Sequence, residues 1–371
     1  MKFTVSSTDM LKKLSISNGV IGSNNVLPIL EDFLFSISNN LLTITSSNLE
    51  TTIITDLEVN SESDGRVAVP AKILMDTLKA LPEQPITFEI DDETYVIQIT
   101  SAFGKYKLAG DNSEDYPELP SQEGVNSFSI PSDVYNNVLN NTLFATSNDE
   151  LRMAMQGIYT EIEEEKVTFV ATDAHKLVKY LYSGTSSEHV ASFIIPKKAL
   201  TILKSAISGQ NTINISYNSQ NVFFDLEGAK FIIRLIDAKY PDYNAVIPTE
   251  NPNLLSLGRQ DFLNSLRRIV IYANKTTNQV VLNLSEGSLT ISSQDIDFSN
   301  EATEQLSCNY DGETMNIGFN AKFLVEMLSV LDSENVTLEL SAPNKAGILL
   351  PGEKKDNEEL LMLVMPVMMG N

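Results

Sequence analysis

The nearest approach to reactive chemistry in this chain is Asp173 with His175, two residues apart after a strand-like run. In extended backbone that spacing puts both side chains on one face, as an acid–base pair requires. A hydrolase built on them also needs a nucleophile and an orienting third group, and the sequence shows neither. The other histidine is His189 and the single cysteine is Cys308, so no ligand spacing suggests zinc. Neither G-x-x-x-x-G-K-[ST] nor a strand-coupled G-x-G-x-x-G is present to cradle a phosphate. The acidic stretch 161–165 reads as a solvated hairpin turn. The expectation is a binding protein without catalysis, cofactor or metal, with an Asp173/His175 hydrolase as the alternative.

A second set of side chains points to anion binding. Lysine stands two residues after Pro70, Pro196 and Asn320, giving Lys72, Lys198 and Lys322 at a spacing of about 125 residues. The helix dipole mildly disfavours a cation in a first helical turn, so helix stability does not account for these lysines. Cations repeated by symmetry suit a phosphate backbone, which carries no base information. The net charge of −23 argues against nucleic acid at first sight. The predicted helices 7–18, 70–81, 132–147, 196–208, 259–275 and 320–332 nevertheless hold twelve Lys or Arg against six Asp or Glu. The acid is therefore concentrated in strands and loops, and an acidic chain can present one basic surface if its helices share a face.

These elements recur in order. Phe3-Thr4-Val5-Ser6, Phe128-Ser129-Ile130-Pro131 and Leu255-Ser256-Leu257-Gly258 each lead a strand-like alternation into a helix. A second helix follows at each lysine-bearing phrase, with Pro70 expected in a first helical turn. Strands are predicted at 41–45, 51–55, 86–90, 95–99, 167–171, 213–217, 222–226, 280–284, 289–292 and 336–340. A repeat of that length is a whole domain. Linkers are expected at 111–124 and 247–253, from their Asp, Glu, Ser and Pro content. The chain ends in an apolar stretch: 360–364 reads as a last core strand, but 365–369 does so less well. Pro366 cannot donate to a ladder, and methionine suits adaptable partner surfaces.

With 371 residues, 42% hydrophobic and 20% charged, the composition is that of a soluble globular protein. No apolar run is long enough to span a bilayer, and the start Met-Lys-Phe-Thr-Val enters a strand where a signal peptide would be apolar. A cytoplasmic location is expected, and the lone cysteine excludes an intrachain disulfide.

The opening Met1-Lys2-Phe3-Thr4-Val5, the runs Leu27-Pro28-Ile29-Leu30 and Val170-Ala171-Thr172-Asp173-Ala174-His175-Lys176-Leu177, then Tyr240-Pro241-Asp242-Tyr243 and Val364-Met365-Pro366 span the chain. Together they resemble the bacterial sliding clamps, the beta subunits of the replicative DNA polymerase. The resemblance implies an α+β fold: three repeats of the DNA clamp fold, each with two helices and β-sheets, as domains 1–121, 122–249 and 250–371. It implies a head-to-tail homodimeric ring, with helices lining a hole threaded by duplex DNA, that tethers the polymerase and confers processivity. Short peptides of the polymerase, the clamp loader and repair proteins would dock in a groove of Met155, Thr172, His175, Leu177, Pro241, Val246, Leu363, Val364, Met365, Pro366 and Val367. Asn24, Lys72, Lys197, Lys198 and Lys322 would face DNA, with Asn24-Asn25 standing where relatives often carry arginine. Lys105, Tyr106 and Leu108 would meet Ile271, Tyr272, Glu301 and Glu304 of the next protomer. Ala174 and Lys176 replace a glycine and an arginine of many relatives, and the tail continues past Val367. The remaining rival, a structural three-domain β module, fits poorly with helix-borne lysines and no membrane partner is expected.

Overall fold

Helices form where apolar residues recur three and four apart. The computed structural model describes residues 1–22, 27–185, 187–207 and 209–368. Among these, six α-helices occur: α1 (Ser7–Ser17), α2 (Ala71–Ala80), α3 (Ser132–Thr142), α4 (Lys197–Ala206), α5 (Arg259–Ile269) and α6 (Ala321–Val330). In α1 the Ser6 side chain accepts the Asp9 N–H, an N-cap that satisfies one orphan donor, and Met10, Leu14 and Ser17 form the buried stripe. In α2 the stripe is Ala71, Leu74, Met75 and Leu78. Pro70 ends the preceding strand, Gly65–Pro70, instead of entering the helix: its ψ of 112° is extended, and the helix begins one residue later.

The chain condenses into two compact units, residues 1–133 with 198–235 and residues 134–197 with 236–371, so the middle repeat contributes to both. The first unit holds two antiparallel sheets. One runs in the order Asn60–Ser63, Lys2–Ser6, Pro85–Ile90, Val96–Thr100, Lys105–Ala109. The other runs Asn126–Pro131, Thr212–Tyr217, Asn221–Leu226, Ala229–Arg234, Thr51–Glu58, Leu41–Ser47, Asp32–Ser38, Gly65–Pro70. Both sheets and both helices α1 and α2 feed one core, in which Phe3 and Phe88 stack at 4.8 Å beside Leu14, Leu74 and Phe35.

In the second unit one sheet runs Ala191–Pro196, Gly157–Ile162, Val167–Thr172, Lys176–Tyr182, Glu358–Val364, Gly347–Pro351, Asn335–Leu340, Asn253–Gly258, Asn309–Asp311. The other runs Asn300–Ser307, Ser288–Asp295, Gln279–Ser285, Met315–Asn320.

Each large sheet crosses a border between repeats. Ala229–Arg234 pairs with Thr51–Glu58 in the first unit, and Glu358–Val364 pairs with Lys176–Tyr182 in the second. These two seams join strands far apart in sequence by backbone hydrogen bonds, which is why three repeats condense as two units. In the outer repeats one strand of each seam type is left without such a partner, Lys105–Ala109 in the first and Asn300–Ser307 in the third, and both are sheet edges.

The segment expected as a linker at 111–124 is tied down at its start. Asp111 exchanges both backbone hydrogen bonds with Ala68, and Tyr116 is buried with Leu30 and Leu34. Asp32 is buried here too, and its carboxyl is pushed up to about 7 by burial first and then by the adjoining Asp111 carboxyl.

Candidate partner groove and cationic helix entries

The groove is organised by the turn between Val167–Thr172 and Lys176–Tyr182. Thr172 Oγ1 donates to the Lys176 carbonyl (2.7 Å) and accepts the Ala174 N–H (3.1 Å). Asp173 Oδ1 accepts the backbone N–H of both His175 and Lys176 (2.9 Å each), and Ala174 takes the left-handed φ of 76° that closes the turn. The Asp173 carboxylate thus serves the turn and not the His175 ring, and the acid–base reading of the pair loses its geometry.

Lys176 links this turn to α6. Its side chain is 6% exposed, with Nζ 2.7 Å from Asp173 Oδ2 and 3.2 Å from Glu326 Oε2. Nζ also lies 4.4 Å from the Phe323 ring centroid, while the His175 ring stacks on Phe323 at 6.1 Å. A buried ammonium with two carboxylates and an aromatic face is fully partnered, so the turn and the helix are held in one arrangement. Beside it lies a polar cavity of about 520 Å³, lined among others by Asn148, Arg152, Lys197 and Glu326. Lys197 donates to Asn148 Oδ1 there (2.9 Å), and burial together with the Lys176 charge lowers its pKa.

The chain's end lies beside this turn. In the seam Leu177 lies opposite Leu363. Beyond Val364 the strand leaves the sheet but is clipped twice: the Met365 N–H donates to the His175 carbonyl (2.9 Å) and the Val367 N–H to the Gly318 carbonyl (2.8 Å). Pro366, which has no N–H, sits between the two residues that donate, so its presence costs no bond. Met365 is 41% exposed, whereas Val364, expected in the groove, is wholly buried.

A tyrosine strap supports the other wall. Tyr240 stacks on Tyr159 at 4.7 Å and donates to the Val170 carbonyl, while Tyr243 donates to Glu161 (2.7 Å) under the Lys179 ammonium. Burial pushes both phenols well above their ordinary pKa, so they remain donors. The strap covers an apolar cluster of Val170, Leu177, Ile194, Ala346 and Leu363, with Ala154 beside it, and leaves Pro241 and Val246 exposed. Met155 follows Ala154 in the chain and is half-buried. The structure therefore brings Thr172, His175, Leu177, Leu363, Met365 and Pro366 around one turn. It adds Phe323 and Glu326 of α6, and Tyr159 stacked beneath Tyr240. Phe323 was legible as the aromatic in a helix phrase where the other copies carry Ile73 and Ala199.

Lys72, Lys198 and Lys322 are each the second residue of their helices, α2, α4 and α6, and each is exposed. Among the described residues none of the three takes part in a salt bridge. Asn24 lies outside the described residues. At the open edges Lys105 is exposed, Tyr106 half-buried and Leu108 already buried in its own core. Ile271 and Tyr272 are exposed, and so are Phe103, Ile296 and Phe298. Among the described residues no cluster of His, Cys, Asp and Glu is placed to hold a metal, and no helix is long and apolar enough to cross a membrane.

Models of the N-terminal, central and C-terminal domains of the DNA polymerase III beta subunit match residues 1–120, 129–242 and 244–367. A beta sliding clamp of Treponema pallidum is 28% identical over 371 residues, covering 99% of each chain. One from Escherichia coli is 28% identical over 344 residues, covering 92% of this chain and 93% of the relative. Among solved structures, a sliding clamp of Pseudomonas aeruginosa, DNA polymerase III subunit beta, superposes with a TM-score of 0.94 at 26% identity over the full length of both chains. That of Bacillus subtilis, at 23% identity, shares the fold with a TM-score of 0.95 over the full length of both.

Proposed function

The chain belongs to the family of DNA polymerase III beta subunits, the bacterial sliding clamps, and from that premise we propose that two copies close head to tail around duplex DNA. As a member of that family it is a non-catalytic processivity factor of DNA polymerase III. The proposed ring has three clamp domains per copy, bounded near residues 121 and 249.

The observation that carries the ring is the pair of unmatched edges. Within the chain, the strand corresponding to Lys105–Ala109 is consumed twice, as Ala229–Arg234 and as Glu358–Val364, each time by the strand that opens the neighbouring seam. Lys105–Ala109 and Asn300–Ser307 remain, one of each kind, so each can be satisfied by a second copy. The charges agree: Lys105 and Lys107 stand on one edge, Glu301 and Glu304 on the other.

Lys72, Lys198 and Lys322, with Lys197 and Asn24, are proposed to face the phosphates. Such contacts are weak and independent of sequence, which suits a ring that must slide. The groove around His175, Phe323 and Met365 is proposed to take extended peptides of the polymerase, the clamp loader and repair proteins, apolar anchors lying against Pro241, Val246 and Met365 with the buried Leu177 and Leu363 as support beneath. A cytoplasmic location follows from that role.

The test is topological. The protein is loaded by a clamp loader onto nicked circular DNA, which is then linearised. A ring slides off the ends; retention on linear DNA would contradict the proposal.

A further inference from the structure

The acidic edge Asn300–Ser307 carries two carboxylates that the structure treats differently. Along this strand exposure alternates, with Ala302, Glu304 and Leu306 on the half-buried face and Glu301, Thr303 and Gln305 on the exposed one. The half-buried face is that of α5: Arg268 reaches Glu304 with two parallel hydrogen bonds, Nε to Oε1 at 2.7 Å and Nη2 to Oε2 at 2.6 Å. This is the bidentate fork that makes an arginine–carboxylate pair strong. It also holds the Glu304 carboxyl below its usual range. Glu301 forms no salt bridge among the described residues.

The opposing edge alternates as well. In Lys105–Ala109, Tyr106 and Leu108 turn toward the core that holds α1 and α2, whereas Lys105 and Lys107 are exposed on the other face. If the two sheets become continuous with their helices on one side, Tyr106 and Leu108 of one copy meet the face of Ala302, Glu304 and Leu306. Lys105 and Lys107 then meet the face of Glu301. A bare carboxylate beside a phenol ring and a leucine would lose water without gaining a partner, whereas one already forked to a guanidinium loses far less.

Resting on the ring reading above, we infer that Arg268 is a positioning residue for closure: by clasping Glu304 within its own chain it prepares the helix-side face of this edge for Tyr106 and Leu108 of a second copy, and leaves Glu301 to pair with the incoming lysines. Arg268, although borne by a basic helix, is thereby committed to the subunit contact and not to phosphate.

Sedimentation of the full chain tests this with four proteins: wild type, Arg268→Gln, Glu304→Gln, and the double variant. The wild type dimerises. Arg268→Gln raises the dimer dissociation constant about tenfold or more, because Glu304 is left charged and alone in the seam. The double variant returns to within about threefold of wild type, and Glu304→Gln alone stays within the same range. A defect that only loosened the protomer would lower the melting temperature of the dilute monomer, which the account expects Arg268→Gln to leave within a few degrees of wild type. Unchanged dimerisation of Arg268→Gln, or failure of the second substitution to rescue it, overturns the inference. A monomeric wild type overturns the ring reading instead.

Discussion

The turn that opens the first seam and the turn that opens the second share one backbone. Asn48 Oδ1 accepts the N–H of Glu50 and Thr51, as Asp173 Oδ1 accepts those of His175 and Lys176. The Leu49 N–H donates to Ser47 Oγ, as the Ala174 N–H does to Thr172 Oγ1, and both central residues are left-handed, at φ 72° and 76°. Even the first bond beyond the strand is reproduced: the Arg234 N–H donates to the Glu50 carbonyl, and the Met365 N–H to that of His175. What differs is what the side chains do next. Asn48 is neutral, and its turn ends in Thr51. Asp173 keeps a second oxygen for Lys176, which runs on to Glu326 and Phe323. Where one seam places Glu50 and Arg234, the other places His175 and an exposed Met365. The same weld serves for joining in one place and, on the reading proposed here, for partner binding in the other.

Removing the tail should break the comparison most severely. Deleting residues 365–371 is expected to weaken binding of a polymerase-derived peptide by about a hundredfold or more, since it takes away Met365 and both tail clips. The dimer should persist, because the deleted residues belong to neither open edge. Fluorescence anisotropy for the peptide and sedimentation for the dimer read the two effects separately, and an unchanged peptide affinity would refute the groove assignment.

Matched substitutions in the two turns sharpen it. Asn48→Ala and Asp173→Ala each remove the acceptor for two backbone N–H groups, at about 1–2 kcal/mol of stability. Asp173→Ala should cost somewhat more, since Lys176 loses a partner. Only Asp173→Ala should weaken the peptide, by about tenfold, as the Phe323 floor is freed. Equal losses of affinity in both variants would mean that the second turn has no special role.

The smallest effect separates the units by pH. Asp32 has its carboxyl raised to about 7 in the fold, against 3.8 ordinarily, so the fold holds a proton that the unfolded chain releases. Its contribution is complete below about pH 4 and is lost as pH rises through about 7. Asp32→Asn should therefore flatten part of the decline in melting temperature between these values and be more stable than wild type at pH 8. Parallel pH–melting curves for wild type and Asp32→Asn would contradict the buried pair.

The helices were legible because burial on one stripe imposes a period: Met10 and Leu14, or Leu74 and Leu78, announce themselves. Asn300–Ser307 is an acidic strand only by the family resemblance, because an open edge carries no apolar alternation; its inner face holds Glu304 under Arg268. Lys105–Ala109 was hidden by its lysines in the same way. At the candidate groove the motif residues Thr172, His175 and Leu177 and the run Tyr240-Pro241-Asp242-Tyr243 stood out, while Tyr159 beneath that run and Phe323 did not. A tyrosine stack such as Tyr159 on Tyr240, made by residues 81 apart, leaves no local periodicity to detect. The two-unit partition was equally invisible, because seam pairing between Ala229–Arg234 and Thr51–Glu58 is decided by tertiary register alone.

The central claim is that one seam of each chain, and not the other, is a partner site. Labelling methionine methyl groups and titrating the protein with a polymerase-derived peptide tests it directly, because Met155 and Met365 flank the groove while Met10 and Met75 lie in the core of the first unit. The account predicts saturation at one peptide per chain, with shifts at Met155 and Met365 and none at Met10 or Met75. Saturation at two peptides per chain, or shifts confined to the first unit, would contradict it.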